Sequence, residues 1–143
     1  MIHFLDSSVL VKRYVEEGSD LVSTYLRGRK TLVVSRLVEV EVPLAFARRA
    51  RRGDLPLDEA RTHTEELLED LQSFQVAEVR PRTLALAREL GWRHGLRAYD
   101  AVHLATAVQV RNETGSALTF WGADAALNRA ARAEGLRIGE VPR

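Results

Sequence analysis

The stretch HFLDSSVLVKRY, residues 3–14, combines the end of a strand, a carboxylate and the start of a helix. The apolar run Ile2–Leu5 predicts a short buried strand that stops at Asp6, and an amphipathic helix over residues 9–15 follows two serines. A carboxylate directly after a buried strand lies at the edge where parallel α/β sheets bind ligands. Asp6 is therefore either a helix cap or one corner of a charged site, since one of the serines could cap the helix without it.

Strand and helix patterns alternate along the rest of the chain. Further strands are predicted at residues 31–35, 75–79, 117–121 and 136–141, and further helices at 19–27, 36–52, 55–74, 81–90, 99–115 and 124–135. Gly91 is expected to end the helix that Pro81 begins, and Pro43 is expected to kink or loosen its helix. Because several strands look buried on both faces, the pattern predicts a three-layer α/β fold with a mainly parallel central sheet, residues 1–143 forming a single domain.

Composition narrows the class of protein. Of the 143 residues, 45% are hydrophobic and 29% are charged, the net charge is +1, and cysteine is absent. Without cysteine the chain has no disulfide, no thiolate nucleophile and no cysteine-ligated zinc or iron–sulfur site. No apolar run approaches the roughly 20 residues that span a bilayer, and no leader is recognisable, so we expect a cytoplasmic protein.

Four carboxylates fall near the expected carboxyl edge of the sheet. Asp6 follows the first strand, and Glu41 lies about two turns into the helix after the second. Asp100 and Asp124 open the last two predicted helices. Each of these two could serve only as a helix cap, because Asp is a favoured N-cap residue and a carboxylate is stabilising at a helix N-terminus.

Glu41 fits a capping role least. It borders the apolar stripe that Leu37, Val40 and Leu44 are expected to bury, whereas Glu39, the second choice, projects to another face. An acid beside a buried stripe must be paired, hydrated at a cleft or bound to a cation. Clustered carboxylates also repel each other, which a hard divalent cation such as Mg²⁺ or Mn²⁺ would relieve. Such an ion can lower the pKa of water and stabilise charge on a phosphate without any side-chain nucleophile.

Four segments resemble the motifs of the PIN-domain family and, within it, of the VapC-type ribonuclease toxins. They are FLDSSVLVKRY at residues 4–14, SRLVEVEVPLAFAR at 35–48, LRAYDAVHLATA at 96–107 and FWGADAALNRAARAEGL at 120–136. The resemblance implies a parallel sheet between helices, a three-layer α/β/α PIN-like domain. It also implies Mg²⁺- or Mn²⁺-dependent cleavage of RNA phosphodiesters, leaving a 3′-hydroxyl and a 5′-phosphate.

By the same resemblance, four acids would hold the metal, directly or through water, and serve catalysis: Asp6, Glu41, Asp100 and Asp124. Ser7 is expected to support this site by hydrogen bonding to Asp6 or to a water on the metal, and His103 to pack or hydrogen-bond rather than to ligate. The resemblance further implies homodimers and a small protein antitoxin that blocks the site.

The chain departs from the family pattern at Gly122, two residues before the fourth acid, where the family often has Thr or Ser. This departure leaves open a catalytically weak PIN scaffold that binds RNA or a protein partner. A phosphatase or phosphoacceptor on a similar sheet is disfavoured because it needs a late lysine, and both lysines lie near the N-terminus. Four arginines are candidates for phosphate contacts: Arg13, Arg48, Arg52 and Arg97.

Overall fold

The computed structural model describes residues 1–15 and 31–140. Its strands are β1 (Ile2–Leu5), β2 (Thr31–Ser35), β3 (Gln75–Ala77), β4 (Leu118–Trp121) and β5 (Arg137–Ile138). Its helices are α1 (Ser7–Val15), α2 (Val38–Arg51), α3 (Leu57–Asp70), α4 (Pro81–His94), α5 (Ala98–Thr114) and α6 (Ala125–Ala133). The helix predicted over residues 19–27 lies outside the described residues.

The five strands form one sheet in the order β3-β2-β1-β4-β5, and every neighbouring pair is parallel. Strand β1 is central, with Phe4 opposite Val33 of β2 and opposite Phe120 of β4. Because all strands run in the same direction, their carboxyl ends meet at one edge. The predicted fold class, a three-layer α/β/α domain with a mainly parallel central sheet, is confirmed.

Neighbouring residues of three strands divide between the two faces of the sheet, as the two-residue period of a strand requires. One core cluster packs against α4, α5 and α6 and contains Phe4, Val33 and Phe120. The other packs against α1, α2 and α3 and contains Leu5, Val34 and Trp121. Burial on both faces explains why these strands read as continuous apolar runs in the sequence.

The buried face of α2 differs from the one predicted. Val40 and Leu44 are 58% and 52% exposed, so two members of the expected stripe face outward. The buried side chains are Val38, Val42 and Phe46. Both sets recur at helical spacing, so only the packing of α2 against α1, α3 and the sheet distinguishes them. The helix is continuous across Pro43.

Helix α4 extends beyond Gly91, so the predicted end of this helix was wrong. It continues to His94 and ends at Gly95, whose φ of 67° is the left-handed conformation that glycine adopts without strain. A Cβ placed on Gly91 would lie 3.5 Å from the Cβ of Ala101, an ordinary contact distance, so Gly91 lies where α4 packs against α5. No helix in the described ranges is both long and apolar enough to cross a membrane.

Candidate metal centre

Asp6 is a buried carboxylate at the carboxyl end of the central strand. Its side chain is held on one side: Oδ2 accepts hydrogen bonds from the hydroxyl of Ser8 at 2.6 Å and from the backbone N–H of Ser8 at 3.3 Å. The other oxygen, Oδ1, is buried and has no hydrogen-bond partner. The same hydroxyl accepts a hydrogen bond from the backbone N–H of Ala123 at 3.1 Å, so Ser8 joins the ends of β1 and β4.

Glu41 is fixed by two side chains from other elements. One of its oxygens lies 2.6 Å from Nε2 of His103 on α5, and the other accepts a hydrogen bond from the hydroxyl of Ser7 at 3.1 Å. Glu39, two residues earlier, instead pairs with Arg36 on the surface. Glu41 is therefore the acid of this helix that contacts the other elements at the sheet edge.

His103 lies fully buried between two carboxylates. Its Nε2 contacts Glu41, and its Nδ1 is 3.9 Å from Oδ1 of Asp6 without a hydrogen bond. Burial lowers the pKa of His103, but the hydrogen bond to Glu41 and the charge of Asp6 outweigh burial and raise it above its ordinary value. Only the imidazolium form presents an N–H to both acids. The histidine was expected to pack or hydrogen-bond, and it does both.

Asp100 and Asp124 complete the set of four acids. Asp100 lies in the first turn of α5, three residues before His103. Burial raises its pKa, and so do the negative charges of Asp6, Asp124 and Glu41, which lie within electrostatic reach. Asp124 is the N-cap of α6, where its side chain accepts a hydrogen bond from the backbone N–H of Leu127 at 2.8 Å. Asp124 therefore also has the capping role weighed from the sequence.

These acids suit a hard divalent cation. Three carboxylates lie within electrostatic reach of Asp100, one of them with a buried oxygen that lacks a partner, and oxygen donors are what Mg²⁺ and Mn²⁺ bind. Within residues 1–15 and 31–140, however, no three acidic or histidine side chains stand ready to hold one ion. Glu41 is turned towards His103, and Asp124 towards its own helix. Ligation partly through water, which Mg²⁺ commonly retains, fits this arrangement.

The two serines after β1 contact different acids. Ser7, expected to support the site through Asp6 or a water on the metal, contacts Glu41, whereas Ser8 contacts Asp6. The SS pair after a strand is the only sequence signal, and it does not say which serine faces which acid. At Gly122, an added Cβ would lie 2.9 Å from Oδ1 of Asn128, so this turn has no room for a side chain as it stands.

A parallel three-layer α/β fold with carboxylates at the carboxyl edge of its sheet places this chain among the α/β proteins that bind their ligands at that edge. The model of the PIN domain matches residues 3–132. The chain belongs to the PIN-domain family.

Individual relatives agree with this assignment. The chain is 32% identical over 136 residues to "Ribonuclease VapC45" of Mycobacterium tuberculosis (strain CDC 1551 / Oshkosh), covering 94% of this chain and 92% of the relative. Its fold resembles VapBC2 from Rickettsia felis, solved with a promoter DNA fragment, with a TM-score of 0.68 at 14% identity, covering 97% and 98% of the two chains. It also resembles a toxin–antitoxin complex from Klebsiella pneumoniae, with a TM-score of 0.62 at 15% identity, covering 85% and 86%. The resemblance to VapC-type PIN-domain proteins is confirmed.

Proposed function

We propose that this chain is a divalent-metal-dependent endoribonuclease and the toxin of a VapBC-type toxin–antitoxin pair. The observation that carries the proposal is the buried Asp6 carboxylate, which has one unpartnered oxygen and, together with Asp124 and Glu41, raises the pKa of Asp100 through its negative charge. A site that costs electrostatic energy when empty is suited to a cation. Relatives named ribonuclease VapC over nearly the whole chain support hydrolysis of RNA.

We propose that Asp6, Glu41, Asp100 and Asp124 hold Mg²⁺ or Mn²⁺, some of them through water. Bound there, the ion would neutralise charge on a phosphate and make water more acidic. The chain's own side chains supply the preorganisation. Asp6 is oriented by the Ser8 hydroxyl, and Glu41 is oriented by His103.

The proposal includes the partners and the cellular setting. We propose a small protein antitoxin that covers the acidic edge, a homodimeric toxin and a cytoplasmic location. Solved relatives described as VapBC2 and as a toxin–antitoxin complex support the antitoxin partner. Metal-assisted hydrolysis of a phosphodiester needs no side-chain nucleophile, and the relatives named ribonuclease VapC support RNA as the substrate class.

The test is an RNA cleavage assay on purified protein freed of any partner. We expect cleavage with Mg²⁺ or Mn²⁺ and none in EDTA. Glu41→Gln and Glu39→Gln form a matched pair on one helix, since only Glu41 contacts His103 while Glu39 pairs with Arg36 on the surface. Cleavage should be lost in the first variant and retained in the second, with circular dichroism confirming that both are folded.

Asp6→Asn and Asp100→Asn should likewise abolish cleavage and leave the fold intact. Full activity of Asp100→Asn would reject the assignment of the site. A second candidate function is an RNA- or protein-binding PIN scaffold with little catalysis, favoured by Gly122, which supplies no hydroxyl beside Asp124. Tight RNA binding in EDTA, with no cleavage under any metal, would select that candidate.

A further inference from the structure

Lys12 of α1 lines two cavities. The first, of about 320 Å³, lies between α1 and α2, and its charged or polar lining residues are Ser8, Lys12, Arg48, Arg49 and Arg52. The second, of about 720 Å³, is formed by α1, the turn after β4, α6 and β5, and its lining includes Lys12, Ala123, Asn128, Arg129 and Arg132. We call the two cavities together the basic trough.

The basic trough passes beside the acidic site. Ser8 lines the first cavity and Ala123 the second, and a hydrogen bond of 3.1 Å joins the backbone N–H of Ala123 to the Ser8 hydroxyl. That same hydroxyl holds the carboxylate of Asp6 at 2.6 Å. Ser8 and Ala123, which line one cavity each, are therefore linked to the buried acid by these two hydrogen bonds.

The basic side chains of the trough are largely uncompensated. Among the described residues, no carboxylate forms an ion pair with Lys12, Arg48, Arg129 or Arg132, whereas Arg52 pairs with Asp54 at 3.2 Å. Glu140 is the acid that lines the second cavity. Because the whole chain carries a net charge of only +1, this concentration of positive charge is local.

The arginines lie at both ends of the trough. Arg48 lies in the last turn of α2 and Arg52 is the C-cap residue one turn later, while Arg129 and Arg132 are one turn apart on α6, so each pair presents two cations on one side. Of the arginines expected to contact phosphate, Arg13 instead lies over the ring of Phe74, at 5.8 Å from the ring centroid.

We propose that the basic trough binds the sugar–phosphate backbone of single-stranded RNA on both sides of the phosphate to be cleaved. Arg48 and Arg52 contact one flank, Arg129 and Arg132 the other, and Lys12 lies between them. Negative carboxylates bordered by cations, several of which lack a carboxylate partner among the described residues, match a substrate whose central phosphate meets the acids through a metal ion while its neighbouring phosphates meet arginines directly. This inference rests on the proposed function.

The test measures binding of a fluorescein-labelled single-stranded RNA by anisotropy in EDTA, where cleavage does not interfere, over a series of salt concentrations. Lys12→Ala, Arg48→Ala and Arg129→Ala should each weaken binding about fivefold at 0.1 M salt and reduce the slope of log K against log salt by about 0.7, the value for one lost phosphate contact on a single strand. Arg88→Ala is the control, since Arg88 is exposed on α4 and lines neither cavity. It should change neither quantity.

Cleavage kinetics supply the second readout. In the presence of Mn²⁺, the three trough variants should raise KM for RNA more than they lower kcat, because they remove binding rather than chemistry.

The possible outcomes separate the inference from the proposed function. If the protein cleaves RNA but all three variants keep the same affinity, salt slope and KM, RNA binding in the trough is refuted and the proposed function stands. If the unaltered protein neither binds nor cleaves RNA, the proposed function is wrong, and the inference that rests on it is wrong with it. If the variants bind RNA normally but no longer bind a purified antitoxin, the trough is a protein interface and the inference is wrong.

Discussion

Replacing Ser8 with alanine tests whether the Ser8 hydroxyl holds the acidic site together. This one oxygen donates to Asp6 Oδ2 at 2.6 Å and accepts from the backbone N–H of Ala123 at 3.1 Å. Asp6 is 2% exposed, and its other oxygen has no partner, so the lost hydroxyl leaves a buried charged carboxylate with few donors. After Ser8→Ala, the carboxylate retains only the backbone N–H of residue 8, at 3.3 Å.

The expected loss follows from the charge and burial of the acceptor. A hydrogen bond to a charged group contributes about 1.5–3 kcal/mol to the free energy of unfolding, and the short distance to Asp6 favours the middle of that range. The bond from Ala123 adds little, because its exposed turn can be hydrated. We expect Ser8→Ala to lower the free energy of unfolding by about 2 kcal/mol, or the Tm by about 6 °C.

Urea unfolding in EDTA at neutral pH, followed by far-UV circular dichroism, measures this loss. Ser7→Ala is the matched control, because its hydroxyl contacts Glu41, which is partly exposed and keeps its bond to His103. The control should lose roughly 0.5–1 kcal/mol. Equal losses in the two variants, or no loss in Ser8→Ala, would refute the reasoning that Asp6 depends on this hydroxyl.

Two further predictions concern positions away from the acids. Gly139→Ala should lower the free energy of unfolding by about 1–3 kcal/mol in urea titrations, because its Cβ would overlap the buried ring of Trp121. Burial opposes ionisation of Glu134, but hydrogen bonds from His94 and Arg93 outweigh burial and hold its pKa below the usual range. Because the pKa of Glu134 is lower in the folded state, its ionisation stabilises the fold above the unfolded pKa, and this stabilisation is lost as the pH falls through the folded pKa. Glu134→Gln should therefore be less stable than the parent at pH 7, and the difference should begin to shrink at about pH 4 and vanish once the folded-state carboxylate is protonated. A difference that persists in acid would contradict this cause.

Much of the fold and the candidate site can be read from local patterns in the sequence. The alternation of apolar strands and capped helices predicts the α/β class, because strand and helix periods depend on neighbouring residues only. The carboxylates likewise follow strands or open helices, so the direction of a parallel sheet is enough to gather Asp6, Asp100 and Asp124 near one edge. The spacing of the four motifs was enough to identify the PIN-domain family, which the family model confirms.

Contacts between residues far apart in the chain could not be predicted from local sequence patterns. Two apolar stripes on α2 have the same helical spacing, and only packing shows that Val38, Val42 and Phe46 are the buried set. Glycine commonly ends helices, but α4 continues through Gly91 to His94 while packing against α5. Periodicity identifies which faces a helix could bury, while its neighbours in space select one of them.

The chain alone therefore establishes the order of its elements, its family and the acids that follow its strands, since each of these is encoded within a few adjacent residues. The pairing of Glu41 with His103, 62 residues apart, and the division of roles between Ser7 and Ser8 arise only in the folded molecule. The sheet order β2-β1-β4 brings these side chains together, and their hydrogen bonds require distances and orientations that no local spacing specifies.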